Sequence, residues 1–560
     1  MLFLHTQWFH NYSAVGNSLG LTALVVSIPI VFLFWALSVK RMKGHLAGLL
    51  TLILTIIVTT ATYRMPVSAA ISAGVLGMLN GLLQIGWIIL SAVFLYNLTV
   101  ESGQLEIIKS SISSLSTDRR LQALLIAYCF SAFMEGTAGL GAPVAVCAAM
   151  LIGIGFPPFA AAVVCLVGNT QPVPFGPLGV PTLMMASVTK IDDHLLARAV
   201  GNDMAVLALV IPIFMLVVLA GWKNAMGVLP AALVAGGSYS VTCFVVTRFL
   251  GPELPAILSS FVSIASLVVF LRFWKPASVW RFPGDPDVAS ETRTQYPARQ
   301  IVMAWAPFLI LMLVICTWSV PAFKAWLLRV THWVVNIPSW PLLDGVVYRT
   351  APIVTKPAVY AASYRWEICT AAGTAIFLAS LLSMALLRIS PARGARVFFK
   401  SLHQMRFALF TLACVVGIAY VANYSGMSYT LALAPAYYTG KLFPVFSPVI
   451  GWLGVFLTGS VTSSAVLFGK LQQVTAIQIG ANPVLTTSAN LAGGVTGKLI
   501  SPQSLAIACA ATGMEDRETD IFQKTWRYSL MLLGFMIVVI VLQAYVIPGA
   551  VPQSAHGLGP

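Results

Sequence analysis

Three continuous apolar runs, Leu19–Val39, Met204–Ala220 and Ser529–Ile547, constrain this chain more than any other feature. Each is long enough to cross a hydrocarbon core of about 30 Å as an α-helix. Lipid cannot satisfy backbone N–H and C=O groups, so a run of this kind has to bond within itself. Its continuity, in place of strict alternation, argues against a β-barrel. The 560 residues are 58% hydrophobic and 9% charged, with a mean hydropathy of +0.89. That balance lies far from the soluble average. The expectation is an all-α polytopic membrane protein with about 12–14 transmembrane segments.

Charge sets the orientation. The net charge of +15 comes from 32 Lys+Arg against 17 Asp+Glu. In a membrane chain this excess reads as basic cytoplasmic loops and not as a nucleic-acid surface. Lys40, Arg41, Lys43 and His45 follow the first span, which places the N-terminus outside. Arg388, Arg393, Arg396, Lys400 and Arg406, with no acid among them, form the strongest basic stretch. Arg272–Arg299 is a second polar loop, with Arg272, Lys275, Arg281 and Arg293. Trp8 and Tyr12 suit a membrane interface. The eight cysteines are scattered singly and the histidines show no ligand spacing, so no metal site is expected.

The membrane pattern is interrupted in a regular way. An apolar helix enters CFSAFMEGTAGLGAP (129–143) and meets Glu135, with Gly136, Gly139, Gly141 and Pro143 close behind. A carboxylate at the bilayer centre costs roughly 2.5–3.5 kcal/mol and needs a partner, a proton or a cavity. Glycine and proline at the same point break the helix, and irregular backbone at that depth has to be buried or to line a cavity. GNTQPVPFGPLGVP (168–181) is a second break. In the last third, Thr458, Gly459, Ser460 and Ser463 interrupt one apolar run. Asn490, Thr496, Gly497, Lys498, Ser501 and Gln503 punctuate the next.

These breaks echo one another. Ser102-Gly103 and Gly136 correspond to Ser425-Gly426 and Gly459 at an offset of 323, and Asn169, Gly176 and Pro181 to Asn490, Gly497 and Pro502 at 321. Paired broken helices in repeated halves point to a secondary transporter with its site at the repeat interface. The chain then divides into N-terminal helices (1–65), a first repeat (66–203), central spans and loops (204–405), a second repeat (406–528), and a last span with its tail (529–560). The run 66–100 is too long for one upright helix and tight for two, and 321–366 has no assigned structure. Glu101–Arg120, with Leu105, Ile108, Ile112 and Leu115 at helical spacing, reads as an amphipathic helix.

Candidate functions follow from chemistry. Half-helix N-termini receive small carboxylates. Asn169 and Asn490 can donate to an anion and accept from a hydroxyl, or cap the broken helices. Thr170 adjoins the first Asn. Lys498 is a counter-charge for an anion, a partner for Glu135, or a residue snorkelling to the interface. AGGVTGKLIS fails as a phosphate-binding loop, because Ala492 and Leu499 stand where Gly and Ser/Thr belong. Glu135, with its proton affinity raised by burial, is the proton-carrier candidate. Exposed carbonyls leave Na⁺ as an alternative coupling ion. No dyad or metal cluster supports an enzyme, and no soluble signalling domain supports a sensor.

FMEGTAGLGAPVAV (133–146), NYSGMS (423–428), GWLGVFLTGS (451–460) and GGVTGKLISPQSLAIACAA (493–511) closely resemble the bacterial L-lactate permease family, as do GPELPAILSS (251–260) and VVNIPSWPLLD (334–344). The resemblance runs from about Trp8 to Ile547. It implies a proton symporter of the cytoplasmic (inner) membrane for L-lactate, often D-lactate and glycolate too, built from repeated halves with re-entrant hairpins. It implies no cofactor beyond the coupling ion, and leaves oligomeric state open, a homodimer among the options. Against the family pattern, Val461 and Ala465 stand for an acid and an Asn, Lys356 for a Glu, and Gln171, Pro174 and Pro177 for small residues. These departures bear on substrate and coupling.

Overall fold

The computed structural model describes residues 7–40, 42–113, 115–139, 141–283, 296–514 and 517–553. Arg41 and Arg293 of the basic loops, and the end of the C-terminal tail, lie outside the described residues. Two helices, α1 (Leu19–Leu37) and α2 (Gly44–Tyr63), lead into α3, Val67–Glu101. The ambiguous run 66–100 is thus one helix of 35 residues, carrying a π-helical stretch at Asn80–Ile85. Such a helix is about 52 Å long and overshoots the hydrocarbon core, so it tilts or protrudes.

After Gly103 comes α4 (Gln104–Ser113), which buries Leu105, Ile108 and Ile112 on the protein. Leu115, placed on the same face by spacing, is exposed beyond the helix end. Next, α5 runs through three joined pieces, Arg119–Ala123, Leu124–Phe130 and Ser131–Thr137, and α6 is Ala142–Gly153. A broken pair follows, α7 (Pro158–Gly168) and α8 (Gly176–Thr189). Then come α9 (Asp193–Ala220), α10 (Leu229–Phe249), α11 (Pro255–Phe273), α12 (Ala298–Trp318), α13 (Pro321–Thr331) and α14 (Ala372–Leu386). The last third holds α15 (Pro391–Tyr424), α16 (Met427–Thr439), α17 (Phe443–Thr458), α18 (Val461–Gln478), α19 (Pro483–Lys498), α20 (Pro502–Thr512) and α21 (Glu518–Val541).

Among the described residues, ten helical stretches are long and apolar enough to span a bilayer, with α16 and α17 counted together as Met427–Thr458. The count is eleven with the α7–α8 pair, bent by 68° at its break. This is fewer than the expected 12–14, because α6 and α14 are short and α18 and α19 are rich in hydroxyls and amides. Two small sheets were not legible in the sequence. β1 (Trp8–Phe9) pairs in parallel with β3 (Val347–Arg349), which pairs with β4 (Ala358–Val359); β2 (Val334–Ile337) pairs with β5 (Tyr364–Glu367). Strands this short carry no alternating run to read. The first sheet ties down the N-terminal stretch, and Tyr12 is buried against Tyr429.

Two hairpins, α5–α6 and α17–α18, enter from opposite ends of α9. At the base of the first, Arg120 donates to the carbonyl of Asn224, just past the end of α9. At the base of the second, Lys441 is bonded through its carbonyl to Tyr545, in a C-terminal segment whose Ala550 carbonyl accepts from Asn202 in the first half of α9. The halves meet where α6 packs on α20, α8 on α18 and α9 on α19.

Without a hydrophobic drive between helices in lipid, close packing of small residues does the joining. α17 and α19 pack through Gly451, Gly493, Gly494 and Gly497, and a Cβ at Gly493 would run into the Pro448 carbonyl oxygen. Overpacking of this kind costs about 1–3 kcal/mol. Gly493→Ala is therefore expected to lower the thermal midpoint in detergent by several degrees, whereas Gly534→Ala, with nothing within 4 Å of its Cβ, leaves it unchanged or raised; equal midpoints for the two variants would refute the packing argument.

Candidate functional site

Helix α5 places Ser131 and Glu135 four residues apart, hence on one face. Glu135 is 2% exposed, a burial that an ionised carboxylate tolerates only with partners. It has two. Lys498 Nζ, at the end of α19, donates to Oε1 at 2.9 Å, and Asn169 Nδ2 donates to Oε2 at 2.9 Å. Ser131 Oγ in turn donates to Asn169 Oδ1 at 3.0 Å. The carboxylate is thus held by one residue from the second half of the chain and by one from the proline-rich break at 168–181. Gly176 closes the cluster, because a Cβ there would sit 2.7 Å from Glu135 Oε1.

The local sequence explains the placement. Pro172, Pro174 and Pro177 prevent α7 from continuing, so Asn169 becomes its C-cap and its side chain is free to turn toward Glu135. The hairpin tips need left-handed backbone, supplied by Gly139 (φ +54°) and Gly459 (φ +71°). The counterpart of Gly459 at the first tip is therefore Gly139. Gly136, which the offset of 323 had paired with it, lies within α5 and packs against Ile257.

The candidate residues fall into three places. Glu135, Asn169, Thr170 and Lys498 gather at a narrow crevice shared with Val144, Val495 and Ser504. Thr458, Ser460, Ser463 and Gln503 line a separate cleft of about 680 Å³, on the other side of the α19–α20 break. Ser460 caps α18 by accepting from the Ser463 N–H, and Ser501 caps α20 by accepting from the Ser504 N–H. The N-termini of α18 and α20 thereby border the cleft, which also meets Met42, Gly44 and Met405 beside the basic loops. Asn490, Thr496 and Gly497 are packed away from both. Asn490 is bonded to Gln472 and Ser464, Thr496 donates to the Gly493 carbonyl, and Gly497 lies against Trp452. Asn169 and Asn490, matched by the repeat, therefore do not converge.

Sequence reasoning passed over Ser131, though its spacing from Glu135 could have found it. It also passed over Glu518, which lines the cleft with Thr462. Arg120 and Asp118, both buried, form a second ion pair at 2.6 Å, which ties the base of the first hairpin to Ser278 and Trp280.

A many-helix membrane bundle with interrupted helices around a buried ion pair defines a multi-pass permease. The family model described as L-lactate permease matches residues 22–547. The L-lactate permease of Bacillus subtilis is 43% identical over 98% of this chain and 100% of its own length. The glycolate permease of Escherichia coli is 45% identical over 97% and 99%, and the L-lactate permease of that organism 43% over 97% and 100%. The chain belongs to the L-lactate permease family. It is a transporter, not an enzyme.

Breaking a buried pair from one side leaves an uncompensated charge and costs about 3–5 kcal/mol. Lys498→Met is expected to destabilise the protein in detergent by about 3 kcal/mol, and Glu135→Gln added to it to recover most of the loss. A double variant no more stable than Lys498→Met would show that the pair has no coupled role.

Proposed function

We propose that this protein moves L-lactate, or a related 2-hydroxy monocarboxylate such as D-lactate or glycolate, across the cytoplasmic membrane together with a proton. The names of its relatives support the substrate class, and the Glu135–Lys498 pair carries the mechanism. The ammonium is the one cation at the crevice among the described residues, and its resident partner is a carboxylate. A substrate carboxylate competes for it with the same charge and geometry. Once displaced, Glu135 keeps its bond to Asn169 but loses its counter-charge in a buried position. An unpaired carboxylate there takes up a proton. Anion and proton then enter as a neutral load, and loss of the substrate restores the pair.

The cleft supplies the approach. Its position beside the basic loops puts its mouth on the cytoplasmic side, and the N-termini of α18 and α20 attract an anion toward it. Val461, standing where an acid is usual in the family pattern, leaves the first turn of α18 without an acid, so that terminus keeps its full pull on an anion.

Everted and right-side-out vesicles given labelled lactate, with a pH or a Na⁺ gradient imposed in turn, test the proposal. Accumulation is expected to follow the pH gradient and ignore Na⁺. Glu135→Gln is expected to keep lactate counterflow while losing pH-driven accumulation, and unaltered accumulation would remove Glu135 from coupling. Lys498→Ala is expected to raise the KM for lactate about tenfold or more, in line with loss of a charge-assisted bond, and Lys498→Arg to raise it less. Equal KM values in all three proteins would place Lys498 outside the substrate site.

A further inference from the structure

Asp203 is the second carboxylate buried in the helical interior, and the permease mechanism above does not use it. It lies on α9 with no exposed surface. Its Oδ1 accepts from Gln543 Nε2 at 2.9 Å, its Oδ2 has no hydrogen bond, and the Ser488 hydroxyl of α19 lies beside it. Ser488 donates to the Leu485 carbonyl, which leaves its lone pairs free to accept. No cation stands within ion-pair distance of Asp203 among the described residues.

The titratable and charged groups on the packed elements are engaged elsewhere or remote. Arg248 of α10 bonds to Asn202 and stacks on Phe244. Arg198 of α9 donates to the Arg248 carbonyl, and Asp193 and His194 lie in the first turn of α9. Lys498 of α19 is on Glu135, and Lys190 lies past the end of α8. Arg119, Arg120 and Lys223 are at the opposite end of α9. Glu518, Asp520, Lys524 and Arg527 of α21 are sixteen or more residues before Gln543, about 24 Å or further along the helix. Tyr128, Cys129, Cys165, Tyr239 and Cys243 on α5, α7 and α10 are buried neutral groups.

Gln543 belongs to a segment with its own construction. α21 passes into a π-helical turn at Leu542–Val546, and the chain then lies across its neighbours. Asn202 Nδ2 donates to the Ala550 carbonyl at 2.8 Å, Asn482 Nδ2 to the Pro552 carbonyl at 3.0 Å, and Tyr545 to the Lys441 carbonyl. Val551 is 3% exposed beneath it. Residues 542–552 form a strap over α9 and the start of α19, and Asp203 is its one acidic joint among the described residues.

We infer that Asp203 is a second proton-binding site, distinct from Glu135, and that the proton it holds fastens the C-terminal strap across α9 and α19. Protonated, its Oδ2–H donates to Ser488 while Oδ1 keeps Gln543. Ionised, it is a buried charge with a single bond, which only water can relieve, and lifting the strap is the way to admit it. The fastened strap binds the proton and the lifted one releases it, so the strap is fastened at low pH and freed as pH rises.

The test is maleimide labelling of Val551→Cys in membranes, normalised to Gly549→Cys, an exposed position on the same strap. Labelling is expected to rise about tenfold from about pH 6 to about pH 9. In the Asp203→Asn background it stays low throughout. Gln543→Leu removes the strap's own bond to Asp203, so labelling is already raised at about pH 6 and its rise with pH shrinks; this variant decides the matter if Asp203→Asn fails to reach the membrane. A pH-independent Val551→Cys, an unchanged rise in Asp203→Asn, or a full-sized rise from the same low level in Gln543→Leu would each overturn the inference. Labelling needs no substrate, so it stands apart from the transport reading: Glu135→Gln must leave the rise intact, and its loss there would reassign the transition to Glu135.

Discussion

The two halves of this permease, packed on one another along three helix pairs, share one ion pair on which the site depends. Glu135 and Lys498 are 363 residues apart in sequence, yet Nζ and Oε1 meet at 2.9 Å. Neither group can be buried alone at that depth without a large loss. Together, with Asn169 completing the carboxylate, they are tolerated. The same pairing that holds the halves in register is weak toward one kind of competitor, another carboxylate. An apolar contact of equal area would hold the halves at least as firmly, but it would offer nothing for a carboxylate to exchange with.

The rest of the site follows from where helices are made to stop. Prolines end α7 so that Asn169 can turn toward Glu135, and glycines at the hairpin tips take left-handed backbone that other residues resist. Close glycine contacts between α17 and α19 then fix the second broken helix, and with it the position of Lys498. The half-helices pay for their missing hydrogen bonds with side-chain caps, Ser460 on α18 and Ser501 on α20. Those caps hold two helix N-termini open at the edge of the cleft.

Three buried carboxylates show how differently the protein treats the same group. Asp118 is matched locally by Arg120 at the base of a hairpin, where the pair pins loops together. Glu135 is matched across the halves by Lys498, which is itself partly exposed. Asp203 has the Gln543 amide and no cation among the described residues. Charge compensation grades from permanent to exchangeable along this series.

Much of the architecture was written in hydropathy. Leu19–Val39 and Ser529–Ile547 had to be spans, and the glycines around Glu135 had to break a helix, because lipid leaves the backbone no other choice. Glu135 needed a partner by the same physics, and Lys498 was among the few residues able to serve. The sequence could not tell that Asn490 faces Gln472 and Ser464 while Asn169 faces Glu135, since helix rotation is set by packing between distant segments. Nor could it show that 66–100 is one helix of 35 residues, that Tyr12 is drawn under a small sheet, or that Gln543 reaches Asp203. Periodicity and composition act along the chain, whereas which side chain meets which across 300 residues is decided only when the helices close on one another.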